Sequence, residues 1–159
     1  MSLKNNFVTK FFLAIILIFL DIFSKQLVVR FVELNQFISI NFFFDIVYIR
    51  NYGISFGLLA DLYSAWIFIL IGTLITVFII FIYIQSMDKF EKLGLAFIII
   101  GAISNIIDRI FNGFVIDFIS FHYKEFYWPA FNFADIYISV GVIIMLIYLL
   151  RNLKKSFKE

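Results

Sequence analysis

Four apolar stretches limit this chain more than anything else in it. They fall at about residues 7–29, 64–84, 93–110 and 133–150, each close to the roughly 20 residues that cross a hydrocarbon core. Hydrocarbon offers backbone amides no water, so an isolated run of this length satisfies them only as an α-helix. Composition agrees: 64% hydrophobic and 21% aromatic residues, a mean hydropathy of +1.03 and only 15% charged residues lie outside the range of soluble globular chains. The expected fold is an all-α membrane protein, four helices across one domain of residues 1–159.

The first run has Lys4 and Lys10 on its N-terminal side, like an export signal. It carries no small-residue cleavage site and continues through Asp21, Ser24 and Lys25 into Leu27, Val28 and Val29. It therefore reads as a retained span. Basic residues set the orientation, because Lys and Arg are held on the cytoplasmic side. Lys4 and Lys10 lie at the start of the first span, Lys89 and Lys92 separate the second from the third, and Arg151, Lys154, Lys155 and Lys158 follow the fourth. Both termini are expected to be cytoplasmic.

With that topology seven of the eleven acids fall into two groups. Asp88, Glu91 and Glu159 mix with lysines on the inner face and read as solvated surface. Asp21, Asp108, Asp117 and Asp135 converge near the outer face, at the level of Asn105, Arg109 and Asn132. A carboxylate facing lipid costs roughly 2.5–3.5 kcal/mol, so acids at such depth usually face protein or a wet cavity and serve function. The connection at about residues 31–63 is rich in Phe, Ile, Val and Tyr and reads as a small β element on the outer surface. An interfacial or re-entrant turn around Gly53 and Gly57 then leads into the second span. No internal repeat or second domain is visible.

Several chemistries are excluded. The chain has no Cys, which removes thiol catalysis, disulfides and Cys-ligated metals. Its single His, His122, leaves no His pair for a zinc protease and makes a Ser-His-Asp triad a poor fit. A Ser-Lys pair would draw on Ser24, Lys25 and Lys124 as its outer-side candidates. The net charge of +2 reflects inner-face anchoring and there is no glycine-rich phosphate loop, so nucleic acid has no footing.

Paired carboxylates remain. Asp117 and Asp135 flank a short connection between apolar segments, in Val115-Ile116-Asp117-Phe118 and Phe131-Asn132-Phe133-Ala134-Asp135. Two close carboxyls cannot both ionise comfortably, so one keeps a proton while the other deprotonates a water that attacks a carbonyl. Amide hydrolysis by this route needs no metal and no cofactor. Each residue also has a plainer reading. Asp135 would cap the fourth helix, Asp108 with Arg109 would make an ion pair at a helix end, and Asn105 and Asn132 would serve as hydrogen-bond struts. Asp21 fits helix tying and site shaping equally. Spacing alone leaves Asp108 and Asp117 as equal candidates to partner Asp135. Phe121, Tyr123, Phe126, Tyr127 and Trp128 read as an aromatic belt at the headgroups, with His122 bonding there. A rival from another class is a small proton-coupled transporter or channel subunit using Asp21, Asp108 and Asp135.

The motifs resemble those of the bacterial lipoprotein signal peptidases, or signal peptidase II family, over nearly the whole chain. The resemblance is carried by Asp21-Ile22-Phe23-Ser24-Lys25, by Arg50-Asn51-Tyr52-Gly53 with Phe56-Gly57, and by Gly101-Ala102-Ile103-Ser104-Asn105-Ile106-Ile107-Asp108-Arg109. It continues through the Asp117 motif and Pro129-Ala130-Phe131-Asn132-Phe133-Ala134-Asp135. It implies an aspartyl endopeptidase of the bacterial inner membrane, active near the periplasmic face. Such an enzyme cuts prolipoproteins before a diacylglyceryl-modified Cys and is blocked by globomycin. The resemblance maps the catalytic pair to Asp117 and Asp135. It maps binding or supporting roles to Asp21, Lys25, Asn51, Asn105, Asp108, Arg109, Asn132 and Ala134. Ile54-Ser55 stand where the family usually has two Ala, and Ser104 stands where it has Gly, which bears on local packing and substrate fit.

Overall fold

A computed structural model describes residues 2–53 and 65–156. Its helices are α1 (Ser2–Phe31), α2 (Ala65–Gln85), α3 (Lys89–Asn112) and α4 (Phe133–Ser156). All four are long and apolar enough to cross a membrane. Their surfaces are dominated by exposed side chains such as Phe12, Phe19, Leu74, Phe78, Ile143 and Leu146, which lipid rather than protein must cover. The third helix extends past both ends of its apolar stretch because both ends are capped. Asp88 accepts from the backbone amides of Phe90 (2.7 Å) and Glu91 (2.9 Å), and Gly113, at φ 78°, donates its own amide to the Arg109 carbonyl.

α3 and α4 run antiparallel in close backbone contact. At Gly94 an added Cβ would lie 3.0 Å from the Gly141 carbonyl oxygen, and at Gly141 it would lie 2.6 Å from that of Gly94. At Gly101 it would overlap the Ala134 carbonyl. These two meeting points are seven residues apart on each helix. They lock the depth and rotation of α4 against α3, since only glycine allows such approach.

The remaining elements form one antiparallel sheet in the order β1 (Phe37–Asn41), β2 (Phe44–Asn51), β3 (Val115–Tyr123), β4 (Phe126–Tyr127). The expected β element after the first span is present as β1 and β2. The second half of the sheet comes from the connection between α3 and α4, where a short loop was expected. Asp117 therefore lies on a nine-residue strand. Val115 to Ser120 are buried on both faces, so the strand lacks the period-2 alternation that marks a half-exposed one. The turn expected at Gly57 lies outside the described residues.

The sheet is seated on the last turns of α1. Val28 and Val32 pack with Tyr48 of β2 and with Ile116, Phe118 and Ile119 of β3, and Phe44, Phe114, Phe131 and Phe133 close around them. Two features of this packing build the site. The β2–β3 register pairs Ile49 with Asp117 and Asn51 with Val115, bringing Asn51 beside Asp117. After β4 the chain turns back so that Phe131 exchanges backbone hydrogen bonds with Ile119, delivering Asn132 to the same place.

Candidate active site

Asn132 links the two carboxylates. Its side-chain amide donates to Asp117 Oδ1 (2.7 Å), and its backbone amide donates to Asp135 Oδ2 (3.2 Å). Its side-chain oxygen in turn accepts from the Asp135 backbone amide (3.0 Å). The last two bonds form a reciprocal capping box with Asn132 as N-cap of α4 and Asp135 three residues on. The capping role foreseen for Asp135 is therefore present, but it occupies one oxygen only. The other, Oδ1, accepts from Asn105 Nδ2 (2.9 Å). Asp117 Oδ2 accepts from Asn51 Nδ2 (3.0 Å).

Both acids line a cavity of about 630 Å³, shared with Asn51, Asn105, Arg109, Trp128 and apolar side chains of α2, α3 and α4. Asp117 is 3% exposed. Burial, and after it the negative charge of Asp135, push its carboxyl up to about 7, against the opposing hydrogen bonds from Asn51 and Asn132. Asp117 thus keeps its proton up to near neutrality, and two carboxyls facing one cavity carry less than two charges there.

Beneath this pair lies a second polar cluster. Lys25 is fully buried, with its ammonium 2.6 Å from Asp21 Oδ2 and 2.9 Å from Asp108 Oδ2. Its third contact is a hydrogen bond to Asn105 Oδ1 (3.1 Å). That bond fixes the orientation of the Asn105 amide: the oxygen faces Lys25, so the NH2 must face Asp135. Asp21 also accepts from the Ser104 hydroxyl (2.6 Å) and from the Ala134 backbone amide (2.9 Å). The latter satisfies a free amide in the first turn of α4. Asp108 further accepts from the Ile116 backbone amide (3.3 Å) and from Asn112 Nδ2 (3.4 Å).

The choice left open between Asp108 and Asp117 is thereby narrowed. Asp108 is tied to Lys25 and the start of β3 and does not line the cavity; Asp117 does. The expected Asp108–Arg109 ion pair does not form. Arg109 instead donates to the Gly53 carbonyl (2.7 Å), pinning the segment that carries Asn51, whose side-chain oxygen accepts from the Gly53 amide. A Ser-Lys arrangement is also disfavoured. Ser24 bonds back to the Asp21 carbonyl and Lys25 is held by two carboxylates, while Lys124 sits at the β3–β4 turn.

His122 lies outside the cavity, stacked on Tyr127 with Nε2 3.3 Å from Asp45 Oδ1. Tyr123, Phe126 and Trp128 are exposed as a headgroup belt requires, but Trp128 also lines the cavity. Ser104 and the Gly53 carbonyl went unremarked in the sequence as contributors. Ser104 had a signal, since it departs from the family pattern at a position inside a matching motif.

The comparisons bear on the whole chain. The family model described as signal peptidase (SPase) II matches residues 13–151. The lipoprotein signal peptidase of Francisella tularensis subsp. novicida is 36% identical, covering 98% of this chain and 100% of its own length. That of Thermodesulfovibrio yellowstonii is 38% identical over 88% of this chain and 91% of its own. A bacterial membrane enzyme solved by the in meso method at 2.3 Å resolution superposes with a TM-score of 0.84 at 25% identity, covering 92% of this chain and 90% of that one. With four membrane-crossing helices, a small antiparallel sheet and matches over nearly its full length, this chain belongs to the signal peptidase II family of peptidases.

Proposed function

We propose that this protein is an aspartyl endopeptidase of the bacterial inner membrane that removes signal peptides from prolipoproteins, cutting before the diacylglyceryl-modified Cys. The observation that carries the reading is the pair of carboxyls, Asp117 and Asp135, joined through Asn132 on one cavity. Asp117 and Asp135 are the catalytic groups. A water between them gives a proton to the ionised carboxylate, and its oxygen attacks the scissile carbonyl. The protonated partner passes its proton to the carbonyl oxygen, giving a neutral tetrahedral diol. Collapse of that diol breaks the C–N bond as the nitrogen takes up a proton from the first carboxyl and a diol hydroxyl returns one to the second.

The surrounding residues have supporting parts. Asn51, Asn105 and Asn132 hold the carboxyl oxygens by donated hydrogen bonds, and Lys25 with Asp21 and Asp108 holds Asn105. Arg109 holds the Gly53 segment, and Ala134 lends its backbone amide to Asp21. A site where lipid meets water suits a lipid-anchored peptide, which arrives laterally and needs water for cleavage. Proton transport by Asp21, Asp108 and Asp135 draws no support, because Asp21 and Asp108 share Lys25 and do not line the cavity with Asp135.

The test is cleavage of a diacylated and a non-acylated precursor by the purified protein, with and without globomycin. Cleavage of the diacylated precursor alone, stopped by globomycin and abolished in folded Asp117→Asn and Asp135→Asn, is the expected result. Undiminished cleavage by both variants would remove the dyad.

A further inference from the structure

The cavity continues beyond the carboxylates. Asp135, Ser139 and Ile143 all line it, so one stripe of α4 faces it for two turns, about 12 Å at 1.5 Å per residue. Phe68 and Gly72 of α2 and Ala102 and Ile106 of α3 form the opposite walls. This lower limb is apolar apart from Ser139. A hydroxyl in a span ordinarily bonds back to the carbonyl four residues earlier, as Thr76 does to Gly72 at 2.6 Å. The exposed Ser139 hydroxyl has no such bond among the described residues. Gly72 leaves the wall open: a Cβ there would rest 3.6 Å from Ile106 Cγ1, an ordinary contact, while anything longer would enter the limb.

We propose that this lower limb is the subsite for the last apolar residues of the signal peptide itself, its width set by Gly72 facing Ile106 and its backbone contact made by Ser139. The assignment rests on the peptidase reading and adds which part of the substrate the limb takes. A peptide bond must leave helical geometry to reach two carboxylates. The residues beside it then hold carbonyls without internal partners, at a cost of several kcal/mol each in hydrocarbon. A donor one turn below Asp135 answers that need. The methylenes of an acyl chain have no acceptor to offer it and would be served as well by an all-apolar groove.

The experiment uses the full-length protein in lipid, with diacylated precursors carrying Gly, Ala, Leu or Phe at each of the last positions before the cut. Gly72→Leu should lower kcat/KM by about tenfold for precursors with Leu or Phe at one such position, a discrimination typical of a methylene-scale pocket, and spare those with Gly or Ala. Ile106→Ala should restore the Gly72→Leu enzyme. Ser139→Ala should raise KM about fivefold with kcat retained, the size of one hydrogen bond, and Ser139→Thr should recover it. Loss that is equal for all precursors, or that follows acyl-chain length instead of side-chain size, would overturn the subsite while Asp117-dependent cleavage by wild type left the peptidase reading standing. Cleavage indifferent to Asp117→Asn would overturn that reading and the subsite with it.

Discussion

Asn132 shows how much one amide can organise: it caps α4, orients Asp135 through the same pair of bonds, and holds Asp117 from the strand side. Asn51 approaches Asp117 from β2 and only lowers its proton affinity. Asp117, held near 7 by burial, retains a proton the reaction uses, so kcat/KM should fall as pH rises through about 7 with a slope of one proton. The midpoint belongs to the coupled pair. Removing the Asn51 donor takes away a lowering influence, so Asn51→Ala should move this alkaline limb upward; a downward move in the pH–rate profile would contradict the assignment. For stability the sign is equally definite. A carboxyl raised from 3.8 to about 7 favours the fold below about pH 4, and that contribution is lost as pH climbs to 7. Much of this was legible in the residues. The acids were conspicuous because few others occur near apolar runs, but which of Asp108 and Asp117 faces Asp135 depends on Lys25, eighty residues from Asn105 in sequence, claiming Asp108.

At the level of elements, hydropathy located all four helices because lipid rewards long uninterrupted apolar runs. It could not reveal β3, whose two covered faces erase alternation, nor β4, only two residues long. The depth of α4 was hidden as well. It is set by glycine-to-backbone contacts, and although Gly94 and Gly101 stand seven residues apart, nothing in that spacing says which carbonyl each one meets. Gly101 faces the Ala134 carbonyl in the turn that carries Asp135, so Gly101→Ala should push that turn away from α3 and stretch the Asn105–Asp135 bond. The expected outcome is a drop in kcat of about 100-fold, the scale of an ångström-sized misplacement, with precursor binding retained. The Lys25 cluster joins α1 to α3, and a buried ion pair broken from one side leaves charge uncompensated. Lys25→Met should therefore cost about 3–5 kcal/mol in denaturant unfolding. A change under 1 kcal/mol would mean that the cluster does not hold α1 against α3.

For the molecule as a whole, an even number of crossings puts both ends of the chain on one side, and the sheet and the α2–α3 turn on opposite sides. The helix packing constrains which groups travel together: the start of α3 lies beside the far half of α4, and the sheet end holds Asp117 and Asp135. Which side faces the cytoplasm is decided by charge. Lys89, Lys92, Arg151 and Lys154 crowd the end away from the site, and retention of such residues favours that end as cytoplasmic. The absence of Cys makes this directly measurable, because any introduced thiol is the sole label site. Met87, 95% exposed in the α2–α3 turn, and Phe42, 81% exposed in the β1–β2 turn, are the best reporters. A membrane-impermeant maleimide added to intact spheroplasts should label Phe42→Cys and not Met87→Cys, which should react only after the membrane is opened. The reverse pattern would put the carboxyl pair on the cytoplasmic side, where a precursor anchored in the outer leaflet could not reach it, and would exclude the proposed substrate whatever the geometry of the dyad.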